Sequence, residues 1–198
     1  MDVIHLFARW LHVWFGIIWI GFLYFFNFVN IPLQGALDDA GKKAVNPQLM
    51  PRALFWFRWG AMMTFVFGWV LYVINYMYIP SEGFGPNALF HSARHAWILM
   101  GMLLGTIMWF NVWFIIWPAQ KLLLGGKAGD QAAAIRAKAG KASRINTYLS
   151  GPMLFGMLGA PHFGQGNHAV MAGLMVAGAV VIFAAYKHST MPFVTKID

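Results

Sequence analysis

The sequence predicts an all-α fold, a polytopic membrane helical bundle of five transmembrane helices with the N-terminus outside and the C-terminus cytoplasmic. Three observations carry this. Hydrophobic residues make up 60% of the 198-residue chain and charged residues only 10%, against about 25% charged in an average soluble domain. No Asp, Glu, Lys or Arg falls in residues 10–37, 59–81, 95–120 or 145–186. A helix needs about 20 apolar residues to cross the hydrocarbon core, so three windows hold one span each and the fourth holds two. The charges, lastly, are one-sided, as the order of elements shows.

The first span covers about residues 9–30, RWLHVWFGIIWIGFLYFFNFVN. It lacks the basic flank and small-residue cleavage site of a signal peptide, and its aromatic content suits a retained span. A polar connection with Asp38, Asp39, Lys42, Lys43, Pro47, Pro51 and Arg52 leads to the second span, about 54–78, closed by Pro80. The loop PSEGFGPN precedes the third span, about 92–117, which Pro118 ends or kinks. Residues 119–143 form a polar connection whose stretch DQAAAIRAKAGKASR reads as a helix at the membrane surface. A short, Gly-rich fourth span follows at about 144–160, then the breaker-rich turn APHFGQGN and a fifth span at about 168–186.

Alternate connections carry Lys42, Lys43, Arg52 and Arg58, then Lys121, Lys127, Arg136, Lys138, Lys141 and Arg144, and the tail adds Lys187 and Lys196. Twelve of the 14 basic residues therefore share one side, leaving Arg9 and Arg94 on the other. The positive-inside rule makes the basic side cytoplasmic. In a bacterium this places the chain in the inner membrane. The net charge of +8 then reflects orientation in the bilayer, and nucleic acid is not expected as a partner. No P-loop or dinucleotide glycine fingerprint occurs. With no cysteine, thiolate chemistry, Cys-ligated iron–sulfur clusters and covalently attached haem are excluded.

Six of the seven histidines approach the outer face. His5 lies before span one and His12 just inside its outer end, His91 and His95 open span three from the outer loop, and His162 and His168 flank the turn between spans four and five. For a histidine in a loop or at an interface, tolerance of that environment is the simpler reading. One or two turns inside a helix an imidazole needs a partner, which singles out His12, His95 and His168, with His162 next. The spans contain no carboxylates, so an oxygen-rich metal site is poorly supported. Imidazoles facing each other across an aromatic-, Met- and Gly-rich bundle can hold a b-type haem. The expectation is thus haem b, one or two per chain, with iron on histidines from among His12, His95, His162 and His168. Arg9 and Arg94 are candidate propionate partners. The Gly101–Gly105 pair reads first as close helix packing.

Several segments resemble the N-terminal domain family of membrane-bound urate oxidase (urate hydroxylase). They are residues 9–30, FWFRWGAMMTFVFGWVLY at 55–72, NVWFIIWPAQKLL at 111–123 and, most specifically, SRINTYLSGPMLFGMLGAPHF at 143–163. The resemblance implies a multi-span protein whose full form ends in a c-type cytochrome domain. It also implies oxidation of urate to 5-hydroxyisourate, with electrons passed to a cytochrome. This chain looks like a shortened, five-span relative without that domain: it has no CxxCH, and Ile145 stands where the urate-type segment would carry His. Asn146, Thr147 and Tyr148 are carried over as signature positions of unknown role.

Together these readings make the leading expectation a haem-b membrane cytochrome subunit that transfers electrons near the periplasmic face. Its partner would be a separate c-type cytochrome or a larger respiratory or photosynthetic membrane complex, with quinone as a further candidate. Two alternatives stand beside it: a non-catalytic accessory or scaffold subunit of a larger membrane complex, and a urate-oxidase-like membrane haem oxidoreductase.

Overall fold

The computed structural model describes residues 3–79, 83–84, 93–163, 166–191 and 194. His91 and most of the 80–92 loop lie outside the described residues. The chain forms seven α-helices: α1 (Val3–Tyr24), α2 (Ile31–Ala36), α3 (Asp39–Tyr72), α4 (Ala93–Phe110), α5 (Trp117–Leu124), α6 (Ala132–His162) and α7 (His168–Ser189). A two-residue antiparallel pairing of β1 (Tyr78–Ile79) with β2 (Gly83–Phe84) is the sole strand pair among the described residues.

Three π-helical stretches join or extend these helices, at Phe25–Asn30, Val73–Met77 and Asn111–Ile116. Two of them end just ahead of a proline. The N–H of Ile31, before Pro32, bonds the carbonyl of Phe26, and that of Trp117, before Pro118, bonds the carbonyl of Val112. Both bonds reach back five residues. A proline ring in a regular α-helix clashes with the carbonyl four residues earlier, and the wider turn makes room for it. Pro118 therefore neither ends nor breaks the helix, and the apolar rod continues from Arg94 to Leu124.

The helices also run beyond the charge-free windows. The connection between the first two spans is helical through Pro47 and Pro51, starting at an N-cap where the Asp38 carboxylate accepts from the Gly41 N–H at 2.7 Å. Gln34 and Asn46 exchange side-chain hydrogen bonds of 2.8 and 3.0 Å, clamping α2 to the start of α3. The stretch expected as a separate surface helix is the first half of α6, which runs without a break into the bundle.

Among the described residues, four helices are long and apolar enough to cross a membrane: Val3–Ala36, Asp39–Met77, Arg94–Leu124 and His168–Ser189. The chain is an all-α, multi-pass membrane bundle. α6 is not among the four, because its first half carries Arg136, Lys138, Lys141 and Arg144 and its second half is small and polar. That second half is the core of the bundle. Asn146, Thr147, Ser150, Gly151, Met153, Gly156, Gly159 and Ala160 are all buried.

α1 packs along α3, and α6 packs along both α4 and α7. Lipid tails are as apolar as leucine, so helices in a bilayer associate mainly through close packing. Here glycines provide it. A Cβ on Gly156 would lie 2.5 Å from the Cα of Gly101, and one on Gly159 would lie 2.6 Å from the Trp97 ring. Gly178 meets Gly151 in the same way across the α6–α7 contact. Between α3 and α4 the contact is aromatic, with Phe65 and Trp109 stacked at 4.3 Å between centroids. Gly156→Leu is expected to destabilise the bundle by about 1–3 kcal/mol through overpacking. Gly173→Leu, with open space around its Cβ, should change stability by less than about 0.5 kcal/mol. Unfolding of both variants in mixed micelles checks this.

Candidate functional site

Two features of the bundle interior are candidates for function. The first is a chain of hydrogen bonds on α6. Ser150 donates to the Thr147 carbonyl at 2.6 Å. Its single proton is thereby used, so the Tyr24 hydroxyl, 2.8 Å away, donates to Ser150 Oγ. One turn further toward the basic connections, Asn27 donates to the Leu23 carbonyl and to Ser143 Oγ, both at 2.9 Å. On the other side of α6, Asn111 donates to Asn146 Oδ1 at 2.7 Å, and Asn146 donates to the Met108 carbonyl at 2.9 Å. Asn27, Asn146, Thr147 and Ser150 are fully buried. The network ties α1 and the α4 rod to α6 at one level, and the signature positions Asn146 and Thr147 are part of it.

The second feature is a cavity of about 480 Å³ between α1, α3, α4 and α6. It opens above the Tyr24–Ser150 tie and extends to His12, about 18 Å along α1. Glycines make room for it. A Cβ on Gly16 or Gly105 would have no neighbour nearer than 3.9 Å, and one on Gly21 none within 4 Å. The inner wall includes the buried Trp19 and Met153, whereas Val13, Ile17, Leu154 and Leu158 on the α1 and α6 edges are exposed. The cleft thus faces sideways, toward the hydrocarbon of a bilayer.

His12 stands at the end of this cleft. Its Nδ1 donates to the Thr64 carbonyl at 2.9 Å, and its ring lies on Gly68, where a Cβ would come within 3.1 Å of Cε1. The other histidines are elsewhere. His95, half-buried at the start of α4, packs edge-on against Tyr76 at 4.9 Å. His162 and His168 are exposed, at the end of α6 and the start of α7. Arg9 is exposed and reaches His5 at 3.5 Å, and Arg94 is exposed and lies over the Tyr76 ring. None of these lines the cavity.

This arrangement corrects the haem reading. Bis-imidazole ligation needs a second histidine facing His12 across the cavity, and the lining contains none. Among the described residues, no group of three or more His, Cys, Asp or Glu side chains can hold a metal ion. The residues present do not fit haem b, and the expectations of iron binding by His12, His95, His162 and His168 and of a cytochrome-b-like electron-transfer subunit fall with it. A shared expected depth does not by itself bring side chains on different helices to one point. The residues that do converge, Asn27, Asn111, Ser143 and Ser150, were not singled out. Their signal was available as Asn and Ser within or beside charge-free spans, where hydrogen bonds between helices are the usual reason for them.

The model of the urate oxidase N-terminal family matches residues 83–195, which hold α4 to α7 and the α6 half of the network. Neither the curated proteins nor the solved structures contain a match to this chain. The matched residues are more than half of the sequence, and the chain belongs to the urate oxidase N-terminal family.

Proposed function

We propose that the chain is a non-catalytic accessory subunit of a larger membrane complex. The observation that carries this is α7. It is apolar around its circumference, only Met171 and Gly178 are buried, and it packs on α6 and on the π-helical stretch Phe25–Asn30. The opposite face holds Ala169, Gly173 and Ala177 at four-residue spacing, all exposed, with open space around Gly173. At the α4–α6 and α6–α7 interfaces such small residues mark the close approach of a second helix, and small-xxx-small faces are common at membrane helix interfaces. The partner on this face is a transmembrane helix of another subunit.

The same reading takes α6 as a fifth span, from about Ile145 onward, and sets the basic ends of the helices in the cytoplasm of a bacterium, with the N-terminus outside the inner membrane. Urate oxidation by this chain alone is the competing reading, supported by its family. Urate carries hydrogen-bonding atoms around its whole rim, and a site for it must pair them. The cavity supplies few polar side chains among aromatic, aliphatic and Met walls, which favours the accessory role.

Because the chain has no cysteine, single-cysteine variants test these points cleanly. Lys127→Cys should react with an impermeant maleimide only from the cytoplasmic side and Gly166→Cys only from outside. A photo-crosslinker attached at Gly173→Cys in native membranes should capture a discrete polypeptide, and one on exposed Leu103 should capture lipid. Lipid alone at both positions, or urate consumption by membranes containing only this chain, would overturn the accessory reading.

A further inference from the structure

We propose that the lateral cleft is a binding site for a lipid-soluble quinol, whose ring hydroxyl donates a hydrogen bond to His12 Nε2. The hydrogen bond to Thr64 sets the chemistry. A backbone carbonyl only accepts, so the proton of a neutral His12 ring sits on Nδ1 and Nε2 is left as an acceptor. Nε2 makes no hydrogen bond to any described residue. A group that donates is therefore the complement, and a hydroxyl supplies one where a carbonyl or an acyl chain does not. Thr106, on the same cavity wall, adds a second hydrogen-bonding group, and its hydroxyl makes no bond to a described residue. Thr64 and Tyr24 are already committed, to the Gly60 carbonyl and to Ser150.

The rest of the lining suits a flat ring with a long apolar tail. Phe65 and Trp69 are aromatic faces, Gly16 and Gly105 leave flat walls, and Met102 and Met157 are adaptable packing groups. The volume falls within the usual range for a small-molecule site. The exposed α1 and α6 edges leave the tail a path into the bilayer, so the ligand enters from the membrane without crossing water. A hydroquinone brings a donating hydroxyl to His12 Nε2 and an apolar ring and tail to the rest of the lining. No redox step is required of the chain. The site binds the reduced form, and it does so whether or not partner subunits are present.

The test uses the full chain in nanodiscs with decylubiquinol as the probe, its retention quantified by extraction and chromatography. Wild type should saturate at about one per chain. His12→Leu should weaken retention about tenfold, the scale of one hydrogen bond in an apolar site. Gly16→Leu should abolish it by filling the slot. Its Cβ meets nothing closer than the Thr64 methyl at 3.9 Å, so folding, monitored by helicity and unfolding, should be retained. Oxidised decylubiquinone, which cannot donate, should bind several-fold more weakly to wild type. His12→Gln, whose amide can both donate and accept, should narrow that gap. The proposal is overturned by absence of saturable retention, by unchanged retention in Gly16→Leu, by no preference for the reduced form, or by co-purified phospholipid that decylubiquinol does not displace.

Discussion

Hydrocarbon offers no hydrogen-bond partner, so a polar side chain in the middle of a membrane bundle must be satisfied by another helix or by its own backbone. This constraint fixes where the helices of the present chain meet. Tyr24 pairs with Ser150, Asn27 with Ser143 and Asn111 with Asn146, joining α1 and the π-helical turns after α1 and α4 to α6. Each bond of this kind contributes only about 0.6 kcal/mol on average, but the alternative is an unpaired amide in an apolar surround. The network therefore acts on register and direction more than on total stability. It sets α1 against α6 at one level and leaves them apart at the other.

The cleft follows from that asymmetry. Above Tyr24, α1 and α6 share no bridging hydrogen bond among the described residues, and α1 is held instead along α3, where Gly60 admits the Trp19 backbone. α4 is held along α6 by Gly101 and Gly156. Two tightly packed pairs joined at one end enclose a slot between them. The small residues thus have two uses in the same bundle. Gly101, Gly156 and Gly178 allow backbones to touch, whereas Gly16, Gly21 and Gly105 hold space open. Family membership, which rests on residues 83–195, covers the α4 and α6 walls of the slot, and α1 and α3 supply the others.

Much of the fold was legible in the sequence because charge exclusion is a strong signal. The windows free of Asp, Glu, Lys and Arg locate the apolar helices, although the helices run past them because Asp38 caps α3 early and the π turns absorb Pro32 and Pro118. α6 was harder to read. A helix at the centre of a bundle buries much of its surface against other helices, and there Asn146, Thr147, Ser150 and three glycines stand in place of large apolar side chains, so its sequence looks weak as a span. The site was less legible still. His12 was singled out, but the features that define its role are a carbonyl on α3 and the bare backbone at Gly68, which no spacing on α1 reveals. His95, His162 and His168 do not share its surroundings.

The central claim is that hydrogen bonds at the Tyr24 level hold α1 to α6 and so shape the cleft above. The most direct test is the distance between spin labels on Val13→Cys and Leu158→Cys, which sit on opposite edges of the mouth, measured by pulsed electron resonance in nanodiscs. A single narrow distribution is predicted, broadening or shifting when Tyr24→Phe and Asn27→Ala remove the α1 side of the network. A narrow, unshifted distribution in the doubly substituted protein would contradict the account, because the cleft would then owe its shape to the glycine contacts alone.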